Sequence, residues 1–140
     1  MHRAIKNELT EIARLAEQVE EFGVNNNIEP CYIFNINLSL DELITNTINY
    51  GYDDHEEHVI LINMYLAESE IVIQVKDDGM PFNPLDMPIP DLSRELDERP
   101  AGGLGIYLVR TMMDQVEYER QGDQNIITMR KRFVSNQNKQ

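Results

Sequence analysis

Apolar positions recur at helical spacing over three stretches and crowd or alternate at strand spacing over four shorter ones. Leu9, Ile12, Ala13, Leu15, Ala16 and Val19 predict a helix over residues 7–24, with Gly23 as its stop signal ahead of the polar Asn25-Asn26-Asn27 turn. Pro30 suits a first helical turn. From there Ile33, Ile36, Leu40, Leu43, Ile44 and Ile48 carry one apolar stripe through a second helix that ends at Gly51. Asp53-Asp54-His55 reads as a loop. Residues 57–67 and 71–75 favour strands and flank a tight turn at Glu68-Ser69, which predicts an antiparallel hairpin. Gly103 to Glu117 returns to helical spacing, with Met112 and Met113 as core filler. Val116–Arg120 and Asn125–Phe133 form a second hairpin around Gly122-Asp123. Residues 2–6 are long enough for one edge strand.

Between the first hairpin and the third helix, Pro81 to Pro100 has little periodicity. A loop this long in a small domain is a lid or is disordered, and residues 91–97 suit one short helical turn within it. The tail Ser135 to Gln140 is polar and reads as frayed. Neither repeats nor a linker divide the chain, so residues 1–140 are expected to form a single domain. The expected fold class is α+β: a two-layer sandwich of helices and hairpins.

The chain has 140 residues, enough for one full hydrophobic core. Its 25 acidic and 12 basic side chains leave a net charge of -13, which argues against nucleic acid and acidic membranes as partners. No apolar run is long enough to span a bilayer, and MHRAIKNELTEIA lacks a signal-peptide apolar region, so a cytoplasmic setting is expected. The charge is either plain solubility or a docking face for a basic protein. Cys31 is the one cysteine; its apolar neighbours predict a packed thiol. His55 and His58 are three apart but lack enough neighbouring ligands for a metal-site pattern.

Three stretches could carry chemistry. In LSLDELITNTINYGY, Glu42 and Asn46 are four residues apart and share a helix face. An amide oxygen can bind magnesium, and a nearby carboxylate can take a proton from a hydroxyl attacking phosphate. The plainer alternative is a solvated helix face. Asp77-Asp78-Gly79 follows a strand, where a carboxylate could accept a hydrogen bond from an exocyclic amine such as that of adenine. Gly79 would let a ligand approach the backbone. A plain Asp-Gly turn fits equally. Gly102-Gly103-Leu104-Gly105 opens a helix, and backbone N–H groups converging there suit phosphate. A hinge for the preceding loop is compatible with that. Arg94 and Arg99 lie in the lid span (about residues 83–101), and either could reach a terminal phosphate.

The order of these stretches resembles the GHKL (Bergerat-fold) ATPases, the superfamily of histidine kinases, gyrase B subunits and MutL. ELITN is similar to the N-box, DDGMPF to the G1-box and GGLGIYLV to the G2-box. The run AGGLGIYLVRTMMDQVEYER looks like the RsbW/SpoIIAB-type anti-sigma factor kinases, and the resemblance covers about Ile12 to Arg132. It implies a mixed, mainly antiparallel sheet with helices on one face and ATP held between helices and lid. By resemblance Glu42 is the catalytic base and Asn46 the magnesium ligand. Asp77, beside Gly79, binds adenine; Gly102, Gly103 and Gly105 contact phosphate; Thr128 lies near the adenine. Tyr50 departs from the pattern, standing where relatives often carry His. The implied activity is ATP- and Mg2+-dependent phosphorylation of a serine or threonine on a STAS-domain anti-anti-sigma protein, in a partner-switching system with a sigma factor. A homodimer is also implied. The alternative is a non-catalytic module that binds ATP in order to sequester a regulatory partner. A sensor histidine kinase fits poorly, since no phosphoacceptor-helix domain or membrane segment is present.

Overall fold

The computed structural model describes residues 1–86 and 103–134, with Gly103 and Leu104 as backbone only. The elements run β1 (His2–Lys6), α1 (Thr10–Asn25), α2 (Pro30–Tyr50), β2 (Val59–Ala67), β3 (Glu70–Asp77), a 3-10 turn (Pro84–Asp86), α3 (Gly103–Met112), β4 (Gln115–Gln121) and β5 (Gln124–Arg132). The sheet order is β1-β2-β3-β5-β4. Every described pairing is antiparallel, so the mixed sheet implied by resemblance is replaced, among the described residues, by an antiparallel one.

Strand alternation assigns the two sheet faces. Ile62 pairs with Val75, Met64 with Ile73, and Ile73 with Met129; all are fully or almost fully buried beneath the helices. From the other side α2 contributes Ile33, Ile36, Leu40, Leu43 and Ile44, and α1 contributes Leu15 and Val19. Each fully buried Ile, Leu or Met is worth about 1.5–3 kcal/mol relative to exposure, so this single layer dominates the fold's stability. Among the described residues, no helix is long and apolar enough to cross a membrane.

Three local expectations change. Leu9 precedes α1 and is 52% exposed, because the helix begins one residue later, at Thr10. Cys31 is exposed rather than packed. It occupies the first turn of α2 off the Ile33–Ile36 stripe, and its Sγ lies 3.8 Å from Glu29 Oε2. The third helix ends at Met112 instead of Glu117. The stretch that follows alternates exposed and half-buried residues, with Val116 and Tyr118 packed on the core, which is a strand period. The short helical turn expected over 91–97, and the tail from residue 135, lie outside the described residues.

Candidate functional site

The end of α2 and the end of β3 meet over the sheet. Gly51, the C-cap of α2, accepts a 2.8 Å hydrogen bond through its carbonyl from the Met80 N–H. Gly79 lies so close that a Cβ built on it would be 2.6 Å from the Gly51 carbonyl oxygen. A side chain there would collide with backbone, so this approach requires glycine. Beside the contact is a cavity of about 220 Å³. It is lined by Asn46, Thr47, Tyr50 and Gly51 from α2, by Asp77 and residues 80–82 after β3, and by Asn125 and Ile127 of β5. Small-molecule pockets usually span about 300–1,000 Å³, so the described walls suit a base rather than a whole nucleotide.

Asp77 is 6% exposed, and its Oδ1 accepts both the Gly79 N–H and the Asn125 side-chain amide, each at 2.9 Å. Among the described residues Oδ2 has no protein donor, which leaves that oxygen as a ready acceptor. Asn125 is the hub of the turn. Its amide also donates to the Met80 carbonyl at 2.9 Å, and its oxygen accepts the Tyr118 hydroxyl at 2.6 Å. Arg120 donates to the Gly79 carbonyl at 2.8 Å. Sequence reasoning passed over Asn125 and Arg120. For Asn125 a signal existed: it shares strand parity with Ile127 and Met129, and a polar residue on the inward face of a strand needs a partner.

Thr128 is not brought to this cavity. It pairs with Gln74 on β3, and its hydroxyl is 3.4 Å from the Gln74 amide. That is the opposite sheet face from Asp77, whose cross-strand partner is Asn125. Three residues along a strand reverse the side on which a side chain emerges.

Glu42 and Asn46 are both half-buried on α2. Asn46 lines the cavity. The Glu42 carboxyl packs against Gly105 in the first turn of α3, where a built Cβ would lie 2.9 Å from Glu42 Cδ. The N-terminal turn of α3, whose first N–H groups have no partner within the helix and carry partial positive charge, therefore sits beside Glu42. Gly103 begins that helix. Gly102, Arg94 and Arg99 lie outside the described residues.

Tyr50 is 70% exposed at the cavity rim. Tyr52 is partly buried, and among the described residues its hydroxyl has no hydrogen-bond partner. Burial, and then the carboxylates of Asp77, Asp78 and Asp54, push its pKa far above the ordinary tyrosine value. It stays neutral at any physiological pH.

Comparison with known proteins gives a consistent picture. The sequence profile of the histidine kinase-like ATPase domain matches residues 5–131. The serine/threonine-protein kinase BtrW of Bordetella bronchiseptica is 26% identical over 96 residues, covering 69% of this chain and 68% of that protein. An anti-sigma F factor of Clostridium perfringens is 30% identical over 99 residues, covering 70% of this chain and 71% of that protein. Among solved structures, the RsbU and RsbW domains of a Mycobacterium tuberculosis protein superpose with a TM-score of 0.69 at 13% identity. That match covers 95% of this chain, which spans only 32% of the larger one. The catalytic domain of the histidine kinase ThkA gives a TM-score of 0.54 at 14% identity, covering 96% of this chain and 99% of that one. At such identities these two structures establish the fold alone.

Proposed function

The chain belongs to the histidine kinase-like ATPase domain family, and from that membership we propose that it is an anti-sigma regulatory factor with ATP-dependent serine/threonine protein kinase activity. Its substrate would be a small STAS-domain antagonist and its client a sigma factor, in a cytoplasmic partner-switching system, with the kinase acting as a homodimer. Relatives bearing the names serine/threonine-protein kinase and anti-sigma F factor support this reading.

The observation that carries it is convergence. Asp77, with an oxygen that has no protein donor among the described residues, shares one cavity with Asn46, while Glu42 lies four residues before Asn46 against the glycine start of α3. The residues fit the implied cofactor. Asp77 would accept the exocyclic amine of adenine, Gly79 would leave room for the base, and Asn46 would offer its amide oxygen to magnesium. Gly103, Gly105 and, by resemblance, Gly102 would present the helix start to the phosphates. Bound ATP and magnesium would supply the transferable phosphoryl group and neutralise its charge. Glu42 would accept the proton of the substrate hydroxyl, a contribution of about a hundredfold to ten-thousandfold.

Calorimetric titration with ATP and ADP, with and without magnesium, tests the site. Magnesium-assisted binding that Asp77→Asn abolishes is the expected result. Phosphotransfer to a STAS-domain substrate, followed by mass spectrometry, should fail with Glu42→Gln while nucleotide binding persists. Nucleotide-dependent partner capture without any phosphoprotein would instead identify a non-catalytic binding module. A folded wild-type protein that binds no nucleotide would overturn both.

A further inference from the structure

One side chain ties the loop between α2 and β2 to the turn after β3, beside the candidate nucleotide site. His58, just before β2, places Nε2 2.8 Å from Asp54 in the loop leaving α2, and Nδ1 3.1 Å from Asp78 in the turn after β3. Its ring stacks on Tyr52 of the same exit loop, with centroids 4.1 Å apart and planes 12° from parallel. Its backbone is held as well. The His58 N–H donates to Asn7 Oδ1 at 2.9 Å, and its carbonyl accepts the Asn7 N–H at 3.0 Å. The side chain is only 15% exposed, less than either carboxylate it joins.

This arrangement needs a proton on both ring nitrogens. A neutral imidazole has one N–H and one lone pair, so a lone pair would face one of the two carboxylates. Only imidazolium satisfies Asp54 and Asp78 together. The titratable groups around the ring are Asp54 and Tyr52 from the exit loop and Asp78 from the β3 turn. Glu56 and Glu57 precede it in the chain, and Lys6 of β1 is engaged by Glu57 at 3.3 Å. Tyr52 stays neutral, so around the ring itself the charges are two carboxylates and one imidazolium. The hydrogen bond that the ring donates to Asp54, followed by the one it donates to Asp78, raises the His58 pKa against partial desolvation.

The consequence falls on the nucleotide turn. Asp78 sits between Asp77 and Gly79, the two residues that form the cavity's carboxylate and its close backbone approach. We propose that His58 is a positioning residue for nucleotide binding: protonated and bridging Asp54 to Asp78, it holds the Asp77–Gly79 turn against the exit of α2, so nucleotide affinity falls as the ring loses its proton. Deprotonation releases one end of the bridge. It also leaves Asp54, Asp77 and Asp78 without that cation beside a site for an anionic ligand. The inference rests on the nucleotide-binding reading above.

The test is calorimetric titration of the full chain with magnesium-ATP from about pH 6 to about pH 9, for the wild type and His58→Gln. Glutamine keeps a donor group and an acceptor group but carries no charge. Partly exposed ion pairs are modest, so wild-type affinity should weaken by about threefold to tenfold across this range. His58→Gln should start at the weaker level and show no matching fall; its profile also subtracts the titration of the nucleotide itself. Ring NMR resonances of nucleotide-free protein give an independent readout. His58 should titrate above the ordinary histidine value, and Asp78→Asn should bring it down. Parallel pH profiles for wild type and variant, or a His58 midpoint at or below the ordinary value, would overturn the inference while leaving the nucleotide reading intact. No nucleotide binding at any pH would remove both. Should His58→Gln fail to fold, the ring titration and Asp78→Asn still decide.

Discussion

Replacing Asn125 with alanine removes the centre of the buried network under the candidate base site. Its amide donates to Asp77 Oδ1 and to the Met80 carbonyl, both at 2.9 Å, and its oxygen accepts the Tyr118 hydroxyl at 2.6 Å. Two further bonds, from the Phe82 N–H at 3.3 Å and to the Gly79 carbonyl at 3.5 Å, are long enough to leave out. Three good bonds at about 1 kcal/mol net each give a loss of about 3 kcal/mol. Asn125 and Asp77 are 4% and 6% exposed, so water does not readily replace the lost donor, and burial pushes the cost up rather than down. In a chain of this size that is roughly 10 °C in melting midpoint. Asn125→Asp sharpens the test. It keeps the acceptor for Tyr118 but sets a second carboxylate where Asp77 had a donor. One of the pair must then hold a proton, which raises a folded-state pKa above the ordinary carboxylate value. The folded state then binds more protons than the unfolded, so the stability of Asn125→Asp should fall as pH rises above about 4. Urea and thermal unfolding followed by circular dichroism measure both effects. A loss for Asn125→Ala of under about 0.5 kcal/mol, or a deficit for Asn125→Asp that does not widen from about pH 4 to about pH 7, would refute the reasoning.

Gly105→Ala should separate stability from activity. The new Cβ meets the end of the Glu42 side chain, which can swing away, and alanine favours the helix by about 1 kcal/mol. Unfolding should therefore show unchanged or slightly raised stability, while phosphotransfer assays show a loss of about a hundredfold as Glu42 is displaced. Gly79→Ala meets the Gly51 backbone carbonyl at 2.6 Å instead, so stability should drop by about 1–3 kcal/mol and nucleotide affinity should fall with it. Stability should also depend on the bridge at His58. Its folded pKa is raised, chiefly by the hydrogen bond to Asp54, so its contribution is complete below the ordinary value of 6.5 and is lost as pH rises through the folded value. The Asp54 pKa is lowered, chiefly by that same hydrogen bond, so its contribution is present above 3.8 and is lost as pH falls through its depressed value. Melting midpoints of wild type and His58→Gln should converge at high pH; a gap that widens there would contradict the bridge.

Periodicity along the chain determined most of the elements. The stripe from Ile33 to Ile44 specified α2, two runs around Glu68-Ser69 specified β2 and β3, and Gly122-Asp123 placed the second turn. Motif spacing also brought Glu42, Asn46, Asp77, Gly79 and Gly105 into view, because each motif is local and its residue types carry their own chemistry. Tertiary structure decided what depends on facing and pairing. A strand pattern shows that alternate residues share a side but not which side faces the cavity, so Thr128 pointed away and Asn125 took the place beside Asp77. The first turn of a helix can face either way, which left Cys31 exposed. Asn125 reaches Asp77 across 48 residues, and His58 reaches Asp78 across 20. Contacts of that range follow from the order β1-β2-β3-β5-β4 and its register, which antiparallel pairing and core packing settle together.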